Sequence, residues 1–200
     1  MELDDIIKER VSVRKYQDKD VTIEKIGLIL EAGRHAPTSG NLQDFRFVIV
    51  KEKDIKNKIA EASLKQYWMN SAPIFIVICS DLGKLKTFYK ENAENYSLQN
   101  SAASAMLISL KAVDLGLSSC WVNIFDQKAV SRILRLPDSI ISQIILTIGY
   151  QEEKPMKKLS KIPLQRITFF NKYGTRVINL KTWPKEKYIN IKEIIKKKLK

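Results

Sequence analysis

Residues 72–79, Ala72-Pro73-Ile74-Phe75-Ile76-Val77-Ile78-Cys79, contain the apolar run that decides the fold. Six consecutive apolar residues after a proline are typical of a strand buried on both faces, because a half-exposed strand alternates apolar and polar residues. The sequence therefore predicts a central strand here, with helices packed on both faces of its sheet.

Segments on either side of this strand predict the rest of the sheet. Residues 45–50, 119–122 and 144–148 are rich in aromatic and β-branched side chains, which indicates three more strands. Residues 98–113 carry small and apolar side chains on nearly all sides, as expected for a buried central helix. Apolar residues at helical spacing predict further helices over residues 2–9 and after the N-caps Thr22, Asp54 and Asp126. This alternation favours a mixed α/β or α+β fold.

The cysteines and the single histidine exclude several kinds of site. Cys79 and Cys120 have no CxxC spacing and no histidine nearby, which argues against a zinc site and a disulfide scaffold. His35 alone cannot form a histidine-rich metal site. The chain begins with acidic residues and has no apolar run of about 20 residues, so we expect neither export nor a membrane span. These features favour a cytoplasmic protein without a metal.

The charge is strongly basic but unevenly distributed. The 200 residues include 35 basic and 22 acidic side chains, a formal net charge of +13. Nearly half of this excess lies in residues 181–200, where lysines are frequent. Such a charge can attract nucleic acid or a phosphate-bearing ligand, although a lysine run is often only a solvated face. A nucleic-acid module is disfavoured because no RNP, helix-turn-helix or zinc-finger pattern is present.

Two short segments could carry chemistry. Residues 10–14, Arg-Val-Ser-Val-Arg, place two guanidinium groups around a hydroxyl and could clamp a phosphate, or could be a solvated basic turn. Residues 37–43, Pro-Thr-Ser-Gly-Asn-Leu-Gln, could present polar groups to a planar heterocycle, or could be only a turn. No GxGxxG, Walker A or GxSxG motif is present. If the protein is an enzyme, a cofactor supplies the difficult step.

The order of five segments resembles the nitroreductase family of flavoproteins. They are Arg-x-Ser-x-Arg-x-Tyr from Arg10, Ala-Pro-Thr-Ser-Gly-Asn-x-Gln over 36–43, Ala72-Pro73, the alanine-rich helix leading into 116–121, and 148–150. The resemblance extends from Ile6 to about Gly174. It implies an α+β fold with a central mixed, mostly antiparallel sheet between helices. It also implies an intertwined homodimer with one FMN at each of two interface sites.

The resemblance implies roles for residues of each segment. It predicts that the phosphate is bound by Arg10, Val11, Ser12 and Arg14, and that the flavin is reached from the other subunit by a loop with Pro37, Thr38, Ser39 and Asn41. Backbone N–H groups near flavin N5 would be those of Asn123 and Ile124. Gly149 would close the pocket, and Lys158 or Lys161 would be a late basic residue. Aromatic side chains at Tyr67, Trp68 and 88–89 could line the substrate space or could be packing.

The activity implied is that of an FMN-dependent NAD(P)H oxidoreductase with ping-pong hydride transfer through flavin N5. NADH or NADPH would be the donor, and a nitroaromatic, quinone or similar small molecule the acceptor. No catalytic acid is required of the protein. The alternatives are a specialised dehydrogenase or dehalogenase with the same fold, and a non-catalytic flavin-binding module whose basic tail binds a partner.

Several positions depart from the family pattern. A second basic residue is usual where Val11 stands, arginine is usual where Lys161 stands, and proline is usual where Asp44 stands. These differences predict weaker phosphate binding and an atypical substrate side. We expect a nitroreductase-like domain over residues 1–174 and a lysine-rich extension over 175–200. Within the extension, residues 177–183 could form an extended arm and 191–199 an amphipathic helix.

Overall fold

Four strands form the sheet, in a computed structural model that describes residues 1–153 and 161–175. They are β1 (Phe45–Val50), β2 (Ile74–Asp81), β3 (Ser118–Val122) and β4 (Ile140–Gly149), in the order β1-β2-β4-β3 across the sheet. Each neighbouring pair is antiparallel. All four predicted strands are confirmed, and β1 and β3 are the two edges.

The helices of the described residues connect and cover these strands. They are α1 (Leu3–Glu9), α2 (Ile23–Arg34), α3 (Lys53–Ala62), α4 (Leu82–Tyr89), α5 (Ala93–Asp114), α6 (Gln127–Ile133) and α7 (Leu164–Ile167). Thr22 and Asp126 cap α2 and α6 as predicted, because each side chain accepts a hydrogen bond from the backbone N–H three residues later. The predicted cap Asp54 is wrong. The N-cap of α3 is Glu52, and Asp54 lies in the first turn, where its charge favours the helix dipole.

The chain forms two compact units, residues 1–156 and 157–200. The first contains the sheet and α1 to α6, and the second contains α7. The predicted domain boundary at residue 174 stays a prediction. The predicted arm over 177–183 and helix over 191–199 lie outside the described residues. In the part of the chain that is described, no helix combines the length and apolar character needed to cross a bilayer.

Strand β2 is buried on both faces, as its sequence predicts. All of its residues except Asp81 are buried. Ile74 and Ile76 pack with α2 and α5 on one face, whereas Phe75 and Val77 pack with α3 and α6 on the other. Each such side chain contributes about 1.5–3 kcal/mol by leaving water. Helices on both faces are therefore required by the sequence of this strand.

Residues 10–16 lie along the outer edge of β3. Ser12 pairs with Ser119 in a parallel bridge, and the Val13 N–H donates to the Ser119 carbonyl at 3.0 Å. This bridge is the one parallel pairing within the described residues. The sheet, predicted to be mixed and mostly antiparallel, is thus antiparallel in all its strands, with this single parallel addition.

Tyr16 anchors that segment to β4. Its buried phenol donates to the Val13 carbonyl at 2.7 Å and lies 2.7 Å from the Thr147 hydroxyl. Burial raises the pKa of Tyr16, because a phenolate would lose its hydration. The phenol therefore stays a neutral hydrogen-bond donor and fixes the segment against the sheet.

Gly149, the last residue of β4, has no room for a side chain. A Cβ atom at this position would lie 2.5 Å from Pro73 Cδ and 2.9 Å from Tyr16 Cδ1. Both neighbours are rings in a packed interior and cannot move away freely. We expect Gly149→Ala to lower the free energy of unfolding by about 1–3 kcal/mol, measured by urea denaturation.

Gly27→Ala is the matched control for that substitution. Gly27 is exposed within α2, and a Cβ there would meet nothing within 4 Å. Because alanine is favoured over glycine inside a helix, this variant should gain about 0.5–1 kcal/mol. Equal effects of the two substitutions would contradict the packing explanation for Gly149.

Candidate functional site

The segment 10–14 presents its polar side chains on one side. Val13 is 4% exposed and packs into the core, whereas Ser12 and Arg14 are exposed and Arg10 is half-buried. Alternate residues of an extended segment point in opposite directions, so Arg10, Ser12 and Arg14 share the outer side. Val11 is half-buried and packs against the same core as Val13. The structure therefore brings together the two predicted guanidinium groups and the hydroxyl.

The buried Cys120, in β3, is the next residue after Ser119, which pairs with Ser12. Burial raises the pKa of Cys120, while hydrogen bonding from Arg14, the charge of Arg14, the Ser12 hydroxyl and the charge of Arg10 act in the opposite direction. All three side chains are thus close enough to act on a single buried atom. They lie along the same edge of the sheet, beside β3.

This cluster fits a phosphate group by the chemistry of its donors. Guanidinium groups and a hydroxyl are suited to phosphate oxygens, and each charge-assisted hydrogen bond is worth about 1.5–3 kcal/mol. Among the described residues, no carboxylate forms an ion pair with Arg10 or Arg14. By contrast, Arg34 pairs with Glu31, and Arg46 pairs with Asp81 at 3.2 Å. The charges of the cluster are therefore available to an anion.

Trp68 lies against Arg14. The Arg14 guanidinium carbon is 5.4 Å from the centre of the indole ring, within the range of a cation–π interaction. Trp68 belongs to a short 3-10 helix, Tyr67–Ser71, between α3 and β2. The structure thus gives this ring a contact with the predicted phosphate-binding segment. Tyr67, its neighbour, is exposed.

The predicted loop 37–43 lies ahead of β1, at the other edge of the sheet. Thr38 and Ser39 are half-buried, and Pro37 and Asn41 are exposed. The Thr38 hydroxyl oxygen accepts a hydrogen bond from the Gln43 N–H at 3.1 Å, which closes the loop on itself. The loop is therefore ordered by its own residues and presents the polar side chains of Asn41 and Gln43 to solvent.

A buried hydrogen-bond network holds this loop in place. Asn100, in α5, accepts from both the backbone N–H and the hydroxyl of Ser39 through Oδ1, at 3.0 and 3.2 Å. Its Nδ2 atom donates to Asp44 Oδ1 at 2.6 Å, and the Ser80 hydroxyl donates to Asp44 Oδ2. Asp44 is fully buried. Asp44, where the resemblance predicts a proline, is thus an inward-facing anchor of the loop.

Asn123 and Ile124 directly follow β3 and are both exposed. The Trp121 indole donates to the Asn123 side-chain oxygen, and Gln66 Nε2 donates to the Ile124 carbonyl at 3.3 Å. Since β3 runs alongside residues 10–14, this loop and the cluster around Arg14 lie at the same edge of the sheet. The structure brings these two predicted groups of residues together.

One chain does not bring the loop 37–43 to that edge. The start of β1 and the end of β3 lie at the same end of the sheet, but β2 and β4 stand between them. Three strand spacings separate the two edges by about 14 Å. Within a single chain, the two predicted halves of the site are therefore apart.

The remaining predicted residues have different surroundings. Gly149 ends β4 and packs against Pro73 and Tyr16. Lys158 lies outside the described residues, and Lys161 is an exposed residue of the second unit. The roles of all these residues in cofactor binding stay predictions.

The sequence interpretation missed Gln66 and Asn100. Each is a polar residue in a helical or turn region, and neither belongs to a motif. Asn100 gives only a weak signal, because α5 contains other polar residues such as Asn95 and Gln99. Gln66 gives no such signal, because its partner Ile124 is 58 residues away.

Asn100→Ala should loosen the loop 37–43. The substitution removes the partner of Asp44 Oδ1 and of the Ser39 N–H, although Asp44 Oδ2 keeps its bond from Ser80, and a buried group left unsatisfied costs about 1–3 kcal/mol. We expect faster hydrogen exchange in peptides covering residues 38–43, measured by mass spectrometry. Ser109→Ala is the control, because the buried Ser109 hydroxyl donates only to the Ala105 carbonyl of its own helix. Similar exchange in both variants would contradict the assigned role of Asn100.

Known proteins match most of the chain. The sequence model of the Nitroreductase family matches residues 7–68 and 62–150. A protein of Methanothermobacter thermautotrophicus, whose name pairs NADH dehydrogenase with NAD(P)H nitroreductase, is 28% identical over 161 residues, 78% of this chain and 80% of that protein. An FMN reductase (NAD(P)H) of Bacillus subtilis is 25% identical over 177 residues, 81% of this chain and 70% of that protein.

A solved structure has the same fold. The FMN-dependent nitroreductase of Clostridium difficile R20291 is 28% identical, with a TM-score of 0.71 over 84% of this chain and 98% of that chain. The family model also covers both the Arg10–Arg14 segment and the loop after β3. The chain therefore belongs to the nitroreductase family and has its α+β fold.

Proposed function

We propose that the protein is an FMN-dependent NAD(P)H oxidoreductase of nitroreductase type. The observation that carries this proposal is the cluster of Arg10, Ser12 and Arg14, whose donors face outward without a carboxylate partner among the described residues. The names of the relatives support the same class of activity, since they include an FMN reductase and an FMN-dependent nitroreductase. In this proposal the cluster holds the phosphate of FMN.

The protein's contribution is to bind and orient the cofactor. The chemistry that FMN supplies when bound is hydride acceptance from NADH or NADPH at N5 and delivery to a small acceptor such as a nitroaromatic or quinone, in ping-pong order. The backbone N–H groups of Asn123 and Ile124 would stabilise negative charge on the reduced ring, as in an oxyanion hole. Ile124 is 64% exposed, so the edge of this loop is open to a substrate.

No side chain is assigned as an acid or base in this proposal. His35 is exposed and bonds to the Glu31 carboxylate of the same helix at 3.2 Å. That contact joins two residues only four positions apart, and His35 is distant in sequence from the loop after β3. Lys158 or Lys161 would complete phosphate binding, as the family pattern implies.

A second copy of the chain would complete each site. The loop 37–43 and the cluster around Arg14 lie at opposite edges of the sheet, so two chains are needed to bring them together in one pocket. Large apolar side chains are exposed on α1 and α5, among them Leu3, Ile7, Leu98 and Met106. Exposed apolar groups of this size favour a protein interface. Both observations support an intertwined homodimer with FMN at the subunit interface.

The first experiment is an absorption spectrum of the purified protein, followed by release and mass identification of any chromophore. We expect about one FMN per chain, bleached by NADH or NADPH without oxygen. Arg14→Ala should weaken FMN binding about 10- to 100-fold, since a charge-assisted bond is lost. Arg132→Ala, at an exposed position of α6, is the matched control and should keep its FMN through gel filtration. Equal FMN content in the two variants would contradict the phosphate assignment.

Co-expression of two defective chains tests the shared site. One chain carries Arg14→Ala, and the other carries Asn100→Ala, which loosens the loop 37–43. Each mixed dimer then has one site with both halves native, so about a quarter of all sites should bind FMN if chains pair at random. Flavin content no higher than that of either variant alone would contradict a site built from two chains.

A further inference from the structure

The turn after α3 has two consecutive residues in a left-handed conformation. Leu64 and Lys65 have φ values of 54° and 57°. For residues with a side chain this conformation costs about 1–2 kcal/mol each. Leu64 is 73% exposed, so burial of its side chain does not explain the strain. A strained conformation that is kept at a surface turn indicates that the turn places a neighbouring residue where it is needed.

The residue placed by this turn is Gln66, whose side chain joins two other segments. Its Oε1 atom accepts a hydrogen bond from the Trp68 indole at 3.3 Å, and its Nε2 atom donates to the Ile124 carbonyl at 3.3 Å. An indole can only donate and a carbonyl can only accept, so these two partners determine the orientation of the amide. The side chain is a defined bridge between them.

A second hydrogen bond ties the same turn to the loop after β3. The Asp126 N–H donates to the Ala62 carbonyl, at the end of α3, at 2.8 Å. The loop is thus held on both sides of Phe125, which is half-buried against the core. The end of α3 and Gln66 together fix the backbone that follows Ile124.

The other end of the bridge reaches the phosphate cluster. Trp68 holds its indole N–H toward Gln66 and its ring against Arg14. A continuous set of contacts therefore leads from the Arg14 guanidinium through Trp68 and Gln66 to the Ile124 carbonyl. These contacts join two parts of the candidate site that the sequence places 110 residues apart.

We propose that Gln66 and Trp68 are positioning residues that hold the Arg14 side chain and the loop 123–126 in one fixed relation. This inference rests on the proposed function, because it assigns Arg14 to the FMN phosphate and the loop to the flavin ring. An anion bound by Arg14 would then stabilise the loop. By linkage, a rigid loop would favour binding of the anion.

Three variants separate the two ends of the bridge. Gln66→Glu keeps the oxygen that accepts from Trp68 but loses the donor to the Ile124 carbonyl. Trp68→Phe keeps a ring near Arg14 but loses the indole donor, and Trp68→Leu removes both contacts. Gln143→Met is the matched control, because Gln143 donates its side-chain amide to the Ser97 hydroxyl at 2.6 Å and joins β4 to α5 instead.

The first measurement is hydrogen exchange of the full-length protein freed of flavin, with and without inorganic pyrophosphate. We expect Gln66→Glu to speed exchange in peptides covering residues 123–126 by about fivefold, because one hydrogen bond to this loop is lost. In the wild-type protein, pyrophosphate should slow exchange in these peptides. In Gln66→Glu and Trp68→Leu it should not. Gln143→Met should behave as the wild type does.

The second measurement is FMN affinity together with the midpoint potential of the bound flavin. Trp68→Leu should raise the dissociation constant of FMN about fivefold through the lost cation–π contact. Gln66→Glu should shift the potential to a more negative value, since the N–H groups near the reduced ring are held less firmly. A purely structural role would lower stability and leave the potential unchanged.

Two outcomes overturn the inference. One is exchange over residues 123–126 that is the same in Gln66→Glu as in Gln143→Met. The other is an effect of pyrophosphate on this loop that survives in Trp68→Leu. A wild-type protein that binds pyrophosphate but not FMN would refute the proposed function, while the exchange data would still decide whether the bridge exists.

Discussion

Burial of β2 on both faces is the constraint on which the other features depend. An apolar strand of this length cannot leave either face in water, so α2 and α5 must cover one side and α3 and α6 the other. The two central strands are then closed to ligands. Only β1, the segment 10–16 along the outer edge of β3, and the loops at the ends of these strands remain open. Every predicted site segment in the first unit lies at one of those edges, apart from Gly149.

Local signals in the sequence predicted all four strands and five of the seven described helices. The helices α4 and α7 were not predicted, and α5 begins at Ala93 rather than at residue 98. Strands and helix caps such as Thr22 depend on neighbouring residues, which the sequence displays directly. Asp54 lies two residues after the true N-cap, Glu52, which makes no side-chain capping bond and so gives no signal in the sequence. The outward direction of the polar side chains in residues 10–14 was also predictable, because polar and apolar residues alternate along this segment.

Contacts between distant segments could not be predicted in the same way. In the sequence, Asp44 is only a departure from the family pattern in a surface loop. In the structure, its carboxylate is fully buried and accepts hydrogen bonds from Ser80 and Asn100. Gln66 is one glutamine among several, and only the fold brings it to Ile124. Burial and long-range hydrogen bonding are properties of the folded arrangement. A sequence motif identifies the residues of one segment but not the residues of other segments that hold them in place.

The Tyr16 anchor makes the cluster of Arg10, Ser12 and Arg14 part of the rigid core. Its phenol bonds to Val13 and lies against Thr147 in a central strand, so residues 10–16 cannot open without disturbing β4. A cluster held in this way is preorganised, and an incoming anion does not have to supply the entropy of ordering it. An anion that binds at this edge should therefore find a site that is already ordered. The heat-capacity change should reflect the apolar area of the ligand rather than folding of the protein.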